Sequence, residues 1–583
     1  MSPSDGGTRR LYLLDYGAGN VRSLANSLTE LGYTFEWINS PEDFLKADKL
    51  IFPGVGAFET AIVNLAQKGL LEPLREYIKS GKPYFGICIG MQVLFASSTE
   101  PPAMGGLGII DTPIAEFDNA GKPVPHMGWN HVTLLAGNAE DRKLETKETG
   151  MSEAKTYYFV HSYRAPYVAT RNAEWAHTTC QYGREIFLAT VRRRNIFACQ
   201  FHPEKSGPAG LKVLKSWLDA PIHAIDAIYP ERPKRLITIR EMDGFTKRII
   251  ACMDVRANDN GDLVVTKGDQ YDVREKEDED SSNSTAIPSA TAAPRVRQVR
   301  NLGKPVALAR RYYEAEADEI CLLNITSFRN SPLHDQPMLD VVRQAASHIF
   351  VPLTIGGGIK DSVDPDGTPR SAVDVAGAYF RAGADKVSIG SEAVLSVEKL
   401  LASPEQKGDG TSPIETIGRV YGRQAIVVSV DPRRVYVDPG YSGPYADEVI
   451  LGSKALNAQP GEREKAWWYQ CTIKGGREDR PLSVKQLVQG AETLGAGEIL
   501  VNSIDRDGTN SGYDLDLVNL VRSSVRIPVV ASSGAGSPRH FVDVFERTGV
   551  EAALAAGIFH RFEVEISQVK TVCQKRGVLV RRA

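Results

Sequence analysis

The 583-residue sequence has few cysteines, no long apolar run and little net charge. Its seven cysteines form no Cys-x-x-Cys pair, and no His/Cys group has zinc spacing, so neither a disulfide framework nor a metal site is expected. No apolar run approaches the roughly 18–20 residues of a membrane span, and the polar N-terminus lacks the apolar stretch of a signal peptide. A net charge of −3 does not favour nucleic acid or a membrane as a partner. We therefore expect a cytoplasmic protein.

The first 220 residues alternate short apolar runs with helical stretches, which indicates an α/β domain with a mostly parallel sheet. The predicted strands are 11–15, 50–52, 84–87, 157–160, 186–190 and 197–201. A Pro- and charge-containing stretch then breaks the pattern. It divides the chain into a domain at 9–222, a linker at 223–243 and a second domain at 244–583. Within the second domain, residues 275–294 are acidic and then Ser/Thr/Ala/Pro-rich, which predicts a disordered insertion in a surface loop.

The second half of the chain repeats itself. Four apolar runs recur in the same order, each ending in Asp, Asn or Gly, at a spacing of 167 to 178 residues. The paired positions are Asp254 and Asp431, Asn324 and Asn502, Gly357 and Gly534, and Gly390 and Gly557. A duplicated (βα)4 half predicts a closed (βα)8 barrel, whose chemistry lies at the carboxyl ends of its strands.

In the first domain, Cys88 lies between Gly86 and Gly90, after a predicted strand and before a predicted helical stretch that begins at Met91. Small residues on both sides of a nucleophile at a strand-to-helix turn are typical of a nucleophile elbow. A lone cysteine is by default a buried structural residue, but the two glycines favour a catalytic role. A thiolate also needs a base and a group that orients the base. His202 and Glu204, which follow another predicted strand, are a candidate base and a candidate orienting group.

A glycine-rich turn follows the strand at 50–52. Its residues Gly54, Val55 and Gly56 offer backbone N–H groups for an oxyanion hole, although an ordinary turn is equally consistent with them. The order of glycine loop, Gly-x-Cys-x-Gly and His-Pro-Glu resembles that of class I glutamine amidotransferases over residues 9–220. The resemblance implies a flavodoxin-like open sheet. It also implies that Cys88 attacks the glutamine amide, that His202 moves protons and that Glu204 orients His202.

Further motifs narrow this resemblance. Gln92, four residues after the nucleophile, would help to hold glutamine. The segments 15–20 and 125–130, together with His161, Ser162 and Tyr163, look like the glutaminase partner in the imidazole glycerol phosphate synthase family.

In the second domain, Asp254 and Asp431 end strands that face each other across the barrel mouth. Two opposed carboxylates suit acid/base work on one substrate, whereas either aspartate alone would more often be a helix cap or a loop ion pair. The glycine-rich strand ends also pair, which predicts two phosphate sites and a substrate with two phosphates. These sites comprise Gly357, Gly358, Gly390 and Ser391 on one side and Ser533, Gly534 and Gly557 on the other. Lys267, in the first barrel loop, would add positive charge to the substrate site. Asp507, Gly508 and Thr509, which follow the sixth strand, would add a carboxyl group, a glycine and a hydroxyl to it.

Residues 245–580 resemble the cyclase of the same family, which is fused to its glutaminase in fungi and plants. The resemblance implies a lyase/cyclase reaction of histidine biosynthesis. Ammonia and a phosphoribulosyl-formimino-aminoimidazole carboxamide ribotide give imidazole glycerol phosphate and an aminoimidazole carboxamide ribotide, which feeds purine synthesis. Asp254 and Asp431 match the family's acid/base pair, and Lys267 matches its loop lysine. The family's ammonia gate matches Arg248, Glu319, Lys386 and Glu498. We expect a monomer with both domains in one chain and no cofactor.

Two other functions remain open at this point. A bisphosphate sugar isomerase would keep the barrel but would have no use for ammonia. A glutamine or metabolite sensor would be favoured by loss of Cys88, His202 or either barrel aspartate, and all four are present.

Overall fold

The structure is a computed structural model that describes residues 10–17, 19–54, 56–221, 233–257, 263–266, 304–325 and 337–582. Val55, Lys267, the predicted insertion at 275–294 and residues 223–232 of the predicted linker lie outside the described residues. The remaining linker residues, 233–243, run along the N-terminal domain, where the backbone N–H of Arg235 donates to the Leu135 carbonyl at 2.8 Å.

The N-terminal domain is built on an eight-stranded sheet whose first five strands are parallel. Across the sheet the strands are Glu36–Ile38, Leu11–Leu14, Lys49–Phe52, Tyr84–Ile87, Ile196–Cys199, Glu185–Arg193, Ala176–Tyr182 and Thr133–Leu134. The central strands read as unbroken apolar runs because helices cover both faces of the parallel part. Its longer helices are Arg22–Glu30, Phe58–Gln67, Leu71–Lys79, Ala139–Thr149 and Gly207–Asp219. The predicted open α/β sheet is confirmed.

One detail of the prediction is wrong. The helix after Cys88 is a single turn, Ile89–Gln92, and the chain continues into the strand Phe95–Ser98. Val93, Leu94 and Phe95 are completely buried, and the β-branched and aromatic members of this run favour a strand. The predicted strand at 157–160 is present, and it lies outside the main sheet: Thr156–His161 pairs with His126–His131 in a separate antiparallel ladder. A further small sheet joins Tyr163–Arg164, Ile110–Glu116, Phe95–Ser98 and Met104–Gly105.

The C-terminal domain is a closed barrel of eight parallel strands, as the internal repeat predicts. In order the strands are Arg248–Ala257, Glu319–Asn324, Leu353–Gly356, Lys386–Ile389, Ile426–Val430, Glu498–Asn502, Val529–Ser532 and Ala552–Ala555, and the eighth pairs with the first. The described helices around it are Pro305–Glu314, Pro337–Ala346, Ala372–Ala382, Ser391–Ala402, Pro413–Tyr421, Val484–Leu494, Leu515–Ser524, Pro538–Thr548, Gly557–His560 and Ile566–Lys575. An apolar layer fills the barrel interior, including Ile250, Cys252, Val427 and Leu500.

A small antiparallel sheet interrupts the fifth βα unit and was not predicted. It contains Pro432–Val437, Ile450–Leu451, Ala466–Ile473 and Glu478–Ser483. Buried Arg434 anchors it, since its guanidinium lies 2.7 Å from the Asp514 carboxylate and 4.2 Å from the Trp467 ring centre. The turn between its last two strands reaches the mouth of the barrel.

The N-terminal domain covers the amino-terminal ends of the barrel strands. Lys205 Nζ lies 2.7 Å from Asp385 Oδ2, and Asn20 Nδ2 donates to Asp385 Oδ1 at 2.8 Å. Trp129 Nε1 donates to the carbonyl of Asp318 at 3.0 Å. Asp318 and Asp385 each immediately precede a barrel strand, so these contacts fix the domain at the bottom of the barrel. None of the helices in the described part of the chain combines the length and the apolar character that crossing a membrane requires.

Candidate active sites

Cys88 occupies a sharp turn between the strand Tyr84–Ile87 and the helix Ile89–Gln92. Its φ of 50° and ψ of −103° are strained for a side-chain-bearing residue. Glycines make this turn possible: a Cβ added to Gly86 would lie 2.2 Å from the Gly90 carbonyl oxygen, and one on Gly90 would lie 2.2 Å from the Phe52 oxygen. The chain therefore holds the Cys88 thiol at the carboxyl edge of the sheet, in the geometry of a nucleophile elbow.

His202 and Glu204 reach the same edge after the neighbouring strand, Ile196–Cys199. His202 Nδ1 lies 2.8 Å from Glu204 Oε1, and both side chains are buried. Burial lowers the pKa of His202, but the Glu204 carboxylate and Cys88 raise it more, so the net pKa lies well above its usual value. The structure thus brings the three predicted residues together, with Cys88 close enough to raise the pKa of His202.

The predicted glutamine-binding residues lie beside this triad. Gln92 Nε2 donates to the Tyr163 carbonyl at 3.0 Å, so its amide is already engaged. His161 Nδ1 contacts the same oxygen at 2.8 Å, and burial lowers the pKa of His161 to about 3, which keeps it neutral. Ser162 Oγ is buried and has no hydrogen-bond partner among the described residues.

The turn that follows the strand Lys49–Phe52 approaches the elbow. A Cβ on Gly54 would lie 2.3 Å from the Ile87 carbonyl oxygen, so this turn packs directly on the backbone around Cys88. Gly56 has a φ of 134°, a conformation that favours glycine.

A second site is a cavity of about 470 Å³ at the carboxyl-terminal mouth of the barrel. Asp254 and Asp431 both line it. So do most of the predicted phosphate residues: Gly357, Gly358, Gly390, Ser391, Asp507, Gly508, Ser533, Gly534 and Gly557. Thr509 is not among the lining residues, because its hydroxyl donates to the Arg506 carbonyl at 2.9 Å within its own turn.

The pKa of Asp431 is raised above its usual value. Burial raises its pKa to about 6, with Asp507 adding to the rise, while the amide of Asn502 donates to Asp431 Oδ1 at 3.1 Å and opposes it. Asn502 Oδ1 in turn accepts from Ser533 Oγ at 2.8 Å. A carboxyl group that titrates near neutral pH suits proton transfer.

Three cationic residues of the cavity were missed by the sequence analysis: Lys360, Lys474 and Arg477. Lys474 and Arg477 lie in the turn between the last two strands of the unpredicted sheet. The backbone N–H of Lys474 donates to Ser391 Oγ at 3.0 Å. Lys360 lies two residues after Gly358, so the sequence already shows a positive charge beside a predicted phosphate site. The other two positions depend on how the inserted sheet folds back.

The four predicted gate residues form a buried ring of ion pairs. Each is the first residue of its barrel strand. Arg248 Nη1 lies 2.7 Å from Glu319 Oε2, and Arg248 also pairs with Glu498. Lys386 Nζ lies 2.7 Å from Glu319 Oε1 and 2.6 Å from Glu498 Oε2. Two cations thus balance two anions, which lowers the cost of burying all four.

The ring touches the N-terminal domain. Met127 Sδ, on the strand His126–His131, lies 3.7 Å from Lys386 Nζ. The ring therefore stands between the domain that carries Cys88 and the barrel interior that leads to Asp254 and Asp431.

Comparisons with known proteins agree with this two-site architecture. Residues 12–220 match the family described as glutamine amidotransferase class-I, and residues 248–565 match the family described as histidine biosynthesis protein. The chain is 51% identical over 579 residues to "Imidazole glycerol phosphate synthase hisHF" of Emericella nidulans, covering 98% of this chain and 99% of the relative. The chain belongs to the imidazole glycerol phosphate synthase family. The family's protein of the same name from Schizosaccharomyces pombe is 49% identical, with 98% and 99% coverage.

The imidazole glycerol phosphate synthase family also shows that the two domains here are a fusion. "Imidazole glycerol phosphate synthase subunit HisF" of Haloarcula marismortui is 37% identical over 336 residues, which is 58% of this chain and 98% of that subunit. The predicted enzyme class, with amidotransferase and cyclase domains in histidine biosynthesis, is confirmed.

Proposed function

We propose that this chain is a bifunctional imidazole glycerol phosphate synthase that makes ammonia at Cys88 and uses it at Asp254 and Asp431. The observation that carries the proposal is the buried ring of Arg248 and its partners, which lies between the two sites at the bottom of the barrel. An amidotransferase placed against that end can deliver ammonia without release to solvent.

The glutaminase half acts through the elbow and its neighbours. Cys88 Sγ attacks the glutamine side-chain carbon, and backbone N–H groups of the turn that carries Gly54 and Gly56 stabilise the developing oxyanion. His202, held by Glu204 at 2.8 Å, gives its proton to the leaving ammonia and then activates the water that hydrolyses the thioester. Ser162 Oγ, buried without a partner in the described part of the chain, is available to bind glutamine.

Ammonia then enters the barrel between the ring side chains. Above the ring lies the apolar layer that includes Ile250 and Leu500. An apolar surrounding favours neutral ammonia over charged ammonium. Lys386 and Arg248 are both paired with carboxylates, so we expect the passage of ammonia to require one of them to move away from its partner.

The cyclase half uses the two aspartates. The paired glycine turns at Gly358 and Gly534 hold the two phosphates of the ribulosyl substrate, and Lys360, Lys474 and Arg477 add positive charge. Asp254 and Asp431 exchange protons with the substrate while ammonia condenses with its carbonyl and releases water. The imidazole ring then closes as the bond to the aminoimidazole carboxamide ribotide breaks and that product leaves. These steps need no cofactor.

The experiment compares Cys88→Ala with the unaltered enzyme on the ribulosyl bisphosphate substrate. One assay supplies glutamine and the other ammonium salt at high pH. The variant should fail only with glutamine. If neither protein converts the substrate with ammonia, the barrel does not have this cyclase activity. A bisphosphate sugar isomerase or a sensor would then become the favoured function.

Because one chain holds both sites, we also propose that the enzyme works as a monomer in the cytoplasm. Sedimentation velocity at micromolar concentration tests the first point, and imaging of the tagged protein in its own cells tests the second.

A further inference from the structure

A glutamine outside the predicted triad contacts the Cys88 sulfur. Gln200 directly follows the strand Ile196–Cys199 and is fully buried. Its Nε2 lies 3.4 Å from Cys88 Sγ, within hydrogen-bond range for sulfur. Cys88 also raises the pKa of His202, so Gln200 and His202 from the same stretch of chain both interact with the Cys88 thiol.

The neighbours of Gln200 fix which end of its amide faces the sulfur. The carbonyl of Tyr163 can only accept, so Gln92 must present its Nε2 to it, at 3.0 Å. The same Nε2 lies 3.0 Å from Gln200 Oε1. If the Gln200 amide were reversed, two NH₂ groups would face each other. Its oxygen is therefore held by Gln92, and its N–H points at Cys88.

A second chain of hydrogen bonds holds the Tyr163 carbonyl. His161 Nδ1 donates to it at 2.8 Å, so His161 Nε2 accepts from His126 Nδ1 at 3.2 Å, and His126 Nε2 accepts from Asn130 Nδ2 at 3.2 Å. Burial lowers the pKa of both histidines, which keeps them neutral with one N–H each. The whole buried chain thus has a single direction and anchors the acceptor on which Gln92 depends.

We propose that Gln200 positions and stabilises the Cys88 thiolate by donating its amide N–H to the sulfur. The inference rests on the proposed role of Cys88 as the glutaminase nucleophile. A thiolate accepts a hydrogen bond more strongly than a thiol, so a fixed amide donor favours the reactive form. Gln200 shares this task with His202, which must later give up its proton, whereas the amide keeps its own.

The test measures the pH dependence of Cys88 alkylation by iodoacetamide, with mass spectrometry to follow the Cys88 peptide. Gln200→Leu removes the donor, and the alkylation midpoint should rise by about one pH unit. Glutamine-dependent synthesis should fall about tenfold, as expected for a lost hydrogen bond to a charged group. Ammonia-dependent synthesis, which does not use Cys88, should be unchanged and reports that the variant is folded.

Two further variants sharpen the result. Gln200→Glu replaces the donor with a carboxylate, so its midpoint should rise above that of Gln200→Leu. Gln181→Leu is the matched control, because Gln181 is also buried and donates to Gly183 and Arg240 carbonyls at 2.9 and 2.7 Å, away from Cys88. Its midpoint should equal that of the unaltered protein.

An unchanged midpoint in Gln200→Leu with ammonia-dependent synthesis retained would overturn the inference, even if glutaminase activity fell. A midpoint in Gln200→Glu below that of Gln200→Leu would also overturn it. Failure of the proposed glutaminase role of Cys88 would be seen in a different experiment, as glutamine-dependent synthesis that survives in Cys88→Ala. The alkylation midpoints of the Gln200 variants and the unaltered protein could still be compared in that case.

Discussion

Lys386 Nζ lies 2.6 Å from Glu498 Oε2 in a ring where both side chains are almost completely buried. With Arg248 and Glu319 the ring is neutral, so each charge depends on the others for compensation. This dependence makes the ring testable by removing charges singly and in pairs.

Lys386→Met should destabilise the protein by about 3–5 kcal/mol, because it leaves an uncompensated buried carboxylate. The double variant Lys386→Met with Glu498→Gln keeps the Arg248–Glu319 pair and restores neutrality, so it should be more stable than Lys386→Met alone. Urea unfolding measures the stability of four proteins: the unaltered protein, Lys386→Met, Glu498→Gln and the double variant. Together they form a double-mutant cycle. Strictly additive losses would contradict the account of the ring.

The pH profile of the cyclase should follow the environment of Asp431. Its pKa is raised to about 6 by burial, and the Asn502 amide holds it down through a 3.1 Å hydrogen bond. Asn502→Leu removes the donor to the carboxylate, so the limb of the ammonia-dependent profile near pH 6 should move to higher pH. Rates are measured from pH 5 to 9 at a constant concentration of unprotonated ammonia. A limb that stays in place, or moves down, would show that Asp431 does not set it.

The glycine turns of the barrel mouth should not tolerate a side chain. Gly534 has a φ of 94°, and its added Cβ would lie 2.3 Å from the Gly512 carbonyl oxygen. Gly534→Ala should therefore distort a phosphate site and raise KM for the ribulosyl substrate at least tenfold, while glutaminase activity persists. Gly549→Ala is the control: Gly549 has a φ of 72° with open space around it, so it should lose only about 1 kcal/mol of stability. Equal KM values in the two variants would contradict the assignment.

The sequence predicts much of this architecture because the barrel repeats its strand ends at a nearly constant spacing. Asp254, Asp431 and the glycine turns can be located in this way, since strand ends of a barrel share one face. Cys88 can be located because a nucleophile elbow needs glycines at fixed positions. His202 and Glu204 can be located because they supply a base and an orienting group just after another strand.

Other features depend on tertiary contacts and could not be predicted. The inserted sheet around Arg434 breaks the βα alternation, so Lys474 and Arg477 had no predicted place at the barrel mouth. Gln200 looks like an ordinary strand residue until the neighbouring strand brings Cys88 to it. The strand Thr156–His161 reads like the others, and only its partner, His126–His131, removes it from the main sheet.

The central claim is that ammonia passes from Cys88 to the barrel mouth inside the protein. The most direct measurement supplies glutamine labelled with ¹⁵N in its amide together with excess unlabelled ammonium salt at neutral pH, and determines the ¹⁵N content of the imidazole product. If ammonia stays inside the protein, nearly all of the imidazole product should carry ¹⁵N despite the excess of unlabelled ammonium. Product labelled only in proportion to the mixed pool would contradict this claim.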